Sequence, residues 1–266
     1  MNLGLAHALA LVAHGDAWLR AAADAPPPLP GLDSASLACA MGPCFMLTGV
    51  REPIAHADGS WYGWLRDRGA TRLRLTTAPR RARRATKTST PGGDPRLATA
   101  GGAALLVTYR DRHELWRPTW RRRPVARGWV PGCWAVTYTG RPGSIAPGVP
   151  DVPMSAATAA LGAAIASTRR ELRAFGDERW DPLLEEARDH LCASPPPPCL
   201  RLELLPADGY GDGARRLLAA AVTTLEASDD LRLCPTNAPD IYEHTSKLLH
   251  VMAISALVTA TNAGGE

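Results

Sequence analysis

Apolar residues recur at helical steps along the first twenty positions. Leu5, Leu9, Val12 and Leu19 form one stripe, which predicts an amphipathic N-terminal helix. It must stop before "APPPLPG", where successive prolines remove donors and favour extended backbone. From about residue 44 to residue 139 the period shortens to two. The segments "CFMLTGV", "WYGWLR", "TRLRLTT", "ALLVTYR", "HELWRP" and "CWAVTYT" predict short strands. In "TRLRLTT", Leu73 and Leu75 alternate with Arg72 and Arg74, giving one apolar and one charged face. "LLVTYRDRHELW" predicts a hairpin that turns near residues 110–113. Six of the eight tryptophans lie between Trp61 and Trp134, so the strands should form a Trp-rich antiparallel sheet or partial barrel with an aromatic core.

Helical periodicity returns after the linker "GRPGSIAPGVPDVP". Ser155 reads as an N-cap for a helix with the stripe Leu161, Ile165, Thr168, Leu172 and Phe175, and Gly176 ends it. Asp181 as cap and Pro182 in the first turn start another, with Leu183, Leu184, Ala187 and Leu191 inward. "LRLELL" alternates as a strand, a helix carrying Leu217, Leu218, Val222 and Leu225 follows, and "LRLC" completes a βαβ unit over residues 199–234. The last helix runs from near Asp240 to about Asn262, with Ile241, Thr245, Leu248, Met252 and Leu257 as its seam. The fold class is therefore α+β. Residues 1–150 hold the N-terminal helix and sheet, and residues 151–266 form a mostly α-helical half with one embedded strand pair.

Charge changes this picture more than composition does. Only Lys87 and Lys247 are lysine among 30 basic residues, and alanine, glycine and proline abound. Those choices belong to a GC-rich, bacterial type of genome, so arginine by itself carries little information about phosphate contacts. The distribution is more telling. Residues 66–127 hold seventeen of the basic residues and only four acids, Asp67, Asp94, Asp111 and Glu114, a local charge of +13 in a chain of net +4. Such asymmetry marks the seat of a polyanion or an acidic partner.

Two stretches carry the charge. The insertion "APRRARRATKTSTPGGDPRLATAGG", residues 78–102, is too long for a hairpin, and its Arg80, Arg81, Arg83, Arg84 and Lys87 are the leading candidates to meet phosphate or an acidic protein. The second is "LWRPTWRRRPVARGW". Along one strand Arg117, Thr119, Arg121 and Arg123 share a face, and Trp116, Trp120 and Arg122 share the other, so guanidinium groups and rings point apart. Pro118 and Pro124 place this strand at a sheet edge, because proline cannot donate to a ladder.

Other chemistry is weaker. Cys39, Cys44, Cys133, Cys192, Cys199 and Cys234 lack metal-ligand or disulfide spacing and read as reduced, mostly buried thiols. Cys44 with His56, or Ser144, are the nucleophiles that can be named, without an oxyanion or elbow motif beside them. "ADGYGDG" lacks the spacing and the lysine of phosphate-binding loops and reads as a turn, with Asp212 capping the next helix. "DGSWYGW" reads as a turn entering an aromatic strand, with a ligand-stacking pocket as the functional variant. No catalytic residue, metal or cofactor is assigned. The opening segment lacks the basic flank of a secretory signal, and no apolar run is long enough to span a membrane.

These features predict a cytoplasmic, non-catalytic subunit or adaptor of a larger assembly. It would contact a protein with an acidic surface through Arg80, Arg81, Arg83, Arg84, Lys87, Arg117, Arg121 and Arg123, on a basic loop and sheet edge. Nucleic-acid binding through the same residues is the alternative, and a hydrolase of unknown specificity comes third. The helical seams would also serve an oligomer.

Overall fold

A computed structural model describes residues 3–21, 40–56, 58–77, 103–122, 134–141, 152–196, 210–233 and 239–264. The expected α+β class is observed, with an N-terminal helix, one sheet and a helical C-terminal half. The elements fall into two compact units.

The first unit contains α1 (Leu3–Arg20), β1 (Ala40–Leu47), α2 (Asp58–Asp67), β2 (Ala70–Thr77), β3 (Ala103–Tyr109), β4 (His113–Arg122) and β5 (Trp134–Arg141). The strands form a five-stranded sheet in the order β1-β5-β4-β3-β2. β2 to β5 are an antiparallel meander, but β1 pairs parallel with β5, so the sheet is mixed rather than antiparallel. The chain passes from β1 through α2 to the opposite edge before the meander begins. β1 and its parallel partner β5 are thus joined through α2 and the whole meander, not by a hairpin, as a parallel pair requires.

Helix α2 corrects the expected strand "WYGWLR". Trp61, Tyr62 and Leu65 recur at helical spacing and are fully buried, and Gly69, at φ +79°, ends the helix. Their aromatic character favours strands only where a sheet neighbour is on offer. Here packing against α1 decides instead, with the Tyr62 hydroxyl donating to the Leu11 carbonyl at 2.8 Å. The proposed stacking pocket at this segment is filled by its own core: Trp61 stacks on Phe45 at 4.2 Å and meets Trp116 edge-on at 5.2 Å.

Helix α1 is more enclosed than a one-sided stripe implies, since every residue from Gly4 to Asp16 is buried while Leu19 is only half-buried. Ala6, Ala8, Ala10 and Ala13 keep the helix slim, so neighbours close on all sides. Its C-terminal end is held by Arg66, which lies 3.6 Å over the Trp18 ring and donates to the carbonyls of Trp18 and Ala21.

Strand β4 lies between β5 and β3, which corrects its expected place at the edge. Gly140 turns its carbonyl to β1, where the Thr48 N–H binds it at 2.9 Å. The opposed pairs Trp116–Gly140 and Pro118–Tyr138 are therefore non-hydrogen-bonded with respect to the β4–β5 ladder, and the Pro118 nitrogen faces the β3 side. Described pairing with β3 covers only His113 to Trp116, so the missing donor of Pro118 costs no ladder bond there. Gly140 is also a steric requirement: a Cβ there would stand 2.5 Å from the Trp116 ring. Gly140→Ala should lower stability by about 1–3 kcal/mol, seen as an earlier urea midpoint in tryptophan fluorescence. An unchanged midpoint would show that the ring yields without cost.

The second unit contains α3 (Met154–Ala174), α4 (Asp181–Cys192), α5 (Asp212–Leu233) and α6 (Pro239–Asn262). In α3 the stripe Leu161, Ile165, Thr168 and Leu172 is buried, but Phe175 sits at the C-cap and is 57% exposed. Gly176, at φ +73°, closes the helix with a pair of bonds: its N–H donates to Arg173 O, and the Asp177 N–H to Leu172 O. Pro153, not Ser155, occupies the N-cap. Asp181 likewise does not cap α4, where Trp180 takes that place. Its carboxylate instead accepts from Arg169 and Arg173 and ties α4 to α3. Leu184 and Ala187 face inward as expected, while Leu183 and Leu191 are half-buried.

The expected βαβ unit is not formed. Leu231 to Leu233 belong to the last turn of α5, because three residues after a long alanine-rich helix extend it at less cost than starting a strand. The first predicted strand, residues 200–205, lies outside the described residues. The seam of α6 also shifts. Tyr242, Thr245, Leu249, Ala253, Ala256, Leu257 and Ala260 are buried, and Ile241, Leu248 and Met252 are half-buried. Polar residues enter this seam because they carry their own partners, as Ser246 does in donating to Ser228 O at 2.8 Å. Among the described residues no helix is long and apolar enough to cross a membrane.

Candidate functional site

Register assigns each strand residue to one of two sheet faces. One face meets α1: His7 hydrogen-bonds Tyr138 through Nδ1 at 2.9 Å and meets Trp120 edge-on, and Phe45 stacks on Tyr138. Leu73, Leu75, Leu105, Val107, Trp116 and Val136 share that face. The opposite face therefore takes Arg72 and Arg74 from β2, Arg117 and Thr119 from β4, and Thr137, Thr139 and Arg141 from β5. Among the described strand residues it has no Asp or Glu, and no Trp, Tyr or Phe. Ala104, Leu106 and Leu115 make a small buried apolar patch at its centre.

The cross-strand row Arg74–Leu106–Leu115–Arg141 spans four strands, so its two arginines stand about 14 Å apart. Arg72 is engaged, donating from Nε to Asp16 at 3.1 Å. Arg74 and Arg117 differ. Both are half-buried, neither has a carboxylate within ion-pair distance among the described residues, and the buried Nε of each lacks a hydrogen-bond partner there.

Of the sequence-predicted contact residues, Arg117 lies on β4 and points by register to this face, and Trp116 and Trp120 point away from it; Arg121 is also on β4, but its side chain lies outside the described residues. Arg80, Arg81, Arg83, Arg84, Lys87 and Arg123 lie outside the described residues. The sheet adds Arg72, Arg74 and Arg141, which were missed as site residues. The alternation in "TRLRLTT" held the signal for two of them, but only strand order shows that they join Arg117.

Among the described residues of the α1 face the titratable groups are buried and neutralised by their neighbours. Burial drives the His7 imidazole down to about 4 and pushes the Tyr138 hydroxyl up, so both are neutral across the physiological range. Glu114 is fully buried near Arg68 and Arg112 and accepts from the Tyr109 hydroxyl at 2.8 Å, an arrangement that neutralises a buried charge. Cys44 is half-buried with its thiol pushed up by burial, and His56 is exposed, so the thiol is not activated. Cys192 is exposed, against the expectation of buried thiols. Asp212 opens the first turn of α5. Ser144 and residues 207–209 lie outside the described residues, as do the remaining cysteines. Among the described residues no three His, Cys, Asp or Glu side chains gather as a metal site.

No protein-family model, no curated protein and no solved structure matches this chain.

Proposed function

We propose that the protein is a non-catalytic adaptor or assembly subunit that docks an acidic protein partner on the basic face of its sheet. The observation that carries this reading is an arginine face without Asp or Glu among the described residues, on which Arg74 and Arg117 are partly withdrawn from water with no described counter-charge. A partly desolvated, unpaired guanidinium is costly, and a partner's carboxylate removes that cost. Like charges disfavour pairing this face with the same face of a second copy. A cytoplasmic setting accords with the free thiols of Cys44 and Cys192.

Nucleic-acid binding is less well supported, because among the described residues the face offers phosphate contacts but no ring on which a base can stack. The test is purification of the native protein at moderate salt. A co-eluting acidic protein is expected, and the double variant Arg74→Glu, Arg117→Glu should lose it by at least about tenfold, or about 1.4 kcal/mol. Co-elution of nucleic acid with steep salt dependence, or a partner retained by the double variant, would overturn the reading.

A further inference from the structure

We infer that Arg117, Thr119, Thr137 and Thr139 form a phosphate-monoester site on the basic face, filled by a phosphorylated side chain of the docking partner. The assignment rests on the docking reading above and adds the chemical group that is recognised. The four residues make one block on two neighbouring strands, with Arg117 opposite Thr139 and Thr119 opposite Thr137. Both are hydrogen-bonded pairs of the ladder, so about 5.5 Å separates their Cα atoms across the strands. One side-chain repeat, about 7 Å, separates the residues along each strand. All four share one face, and no other side chain of that face stands between them.

The block is open to a ligand. Thr119 is exposed, and Arg117, Thr137 and Thr139 are half-buried. Within it only the Arg117 Nε is withdrawn from water without a partner, so the side chain lies against the protein surface instead of standing out into solvent. Its two Nη groups and the three threonine hydroxyls keep contact with water, and among the described residues none of them has a hydrogen-bond or ion-pair partner. One guanidinium fork and three hydroxyls are thus unengaged on a plate about 5.5 by 7 Å.

That donor set suits a phosphate monoester. Such a group brings three strong acceptor oxygens and about 1.5 to 2 negative charges at pH 7. A guanidinium can pair with two of the oxygens, and hydroxyls serve the third. A carboxylate has two oxygens and leaves the hydroxyls unused. No Asp or Glu competes among the described strand residues of this face. A nucleic-acid backbone calls for a continuous cationic track and gains from stacked rings, whereas the block holds a single arginine and no aromatic residue.

The test measures binding to the full chain of a glycine-flanked phosphoserine peptide, the same peptide with glutamate in that place, and inorganic phosphate. The variants are Arg117→Met, the double variant Thr137→Val with Thr139→Val, and Thr119→Val. Valine keeps the shape of threonine and its preference for strands, and Thr119 is an exposed position where loss of the hydroxyl leaves folding intact. Arg170→Met, at an exposed arginine of the helical unit, is the control. The phosphopeptide should bind at least about tenfold more tightly than the glutamate peptide, Arg117→Met should weaken it by about tenfold, the double variant by about fivefold and Thr119→Val by about twofold, with the control unchanged. Equal affinity for the two peptides, or affinity that ignores the threonines, overturns the site. Inorganic phosphate held as tightly as the phosphopeptide and lost in the same variants overturns the protein-borne ligand and assigns free phosphate. Phosphopeptide binding that depends on the block, in a protein that co-elutes with no acidic partner, upholds the site while the docking reading fails. An acidic partner retained after phosphatase treatment and by the double variant upholds docking while this site fails.

Discussion

The stability of the sheet unit should fall by about 3 kcal/mol as pH is lowered from 6.5 to 4. Burial holds His7 at about 4 in the folded protein, against 6.5 for an ordinary histidine. Above pH 6.5 the imidazole is neutral in both states, and its full contribution is present. Between the two values the unfolded chain takes up a proton that the folded chain refuses, so stability drops with falling pH. Below about pH 4 both states bind the proton and the loss levels off. Neighbouring groups do not blur this window. The Tyr138 hydroxyl is pushed up by burial, and Trp120, the other ring against His7, does not titrate. Urea midpoints at several pH values, followed by tryptophan fluorescence, check the slope. Seven of the eight tryptophans precede residue 149, so the signal reports this unit. His7→Gln should flatten the profile between pH 6.5 and 4, and an unchanged slope would assign the response to other groups.

Asp16→Ala should destabilise the same unit by about 3–5 kcal/mol. The carboxylate of Asp16 is nearly buried at the end of α1. It accepts from the Leu73 N–H at 2.9 Å, from Arg72 Nε at 3.1 Å and from Arg20 Nε at 3.0 Å. β2 is an edge strand, so the Leu73 N–H has no neighbouring strand to pair with, and Asp16 takes that role. Truncation leaves one backbone donor unpaired and takes a carboxylate partner from Arg72 and from Arg20. Asp16→Asn should recover part of the loss by restoring an acceptor for Leu73. Equal losses in the two variants would mean that charge, rather than the edge-strand hydrogen bond, supplies the stability.

The parts of the fold legible in the sequence were those set by local rules. α1 ends ahead of the proline run, glycine ends α3, and alternation in "TRLRLTT" and "HELWRP" marks β2 and the start of β4. Errors arose where two local rules conflict. Aromatic residues in α2 suggested a strand while their spacing suited a helix, and packing under Phe45 and Trp116 decided for the helix. Prolines in β4 suggested an edge. The actual position is central because Pro118 happens to turn its nitrogen to the side where described pairing with β3 has ended.

The sequence by itself determined that arginines on β2 and β4 face away from the apolar residues beside them, because side chains alternate along any strand. It also determined the charge asymmetry of the chain. Only tertiary structure decided that Arg74, Arg117 and Arg141 share one face, since strand order and register are set by pairings between distant segments. It decided too that Arg74 and Arg117 are partly withdrawn from water while Arg72 is neutralised by Asp16. Burial and ion pairing depend on which elements meet, and the alternation within a single strand carries no record of that.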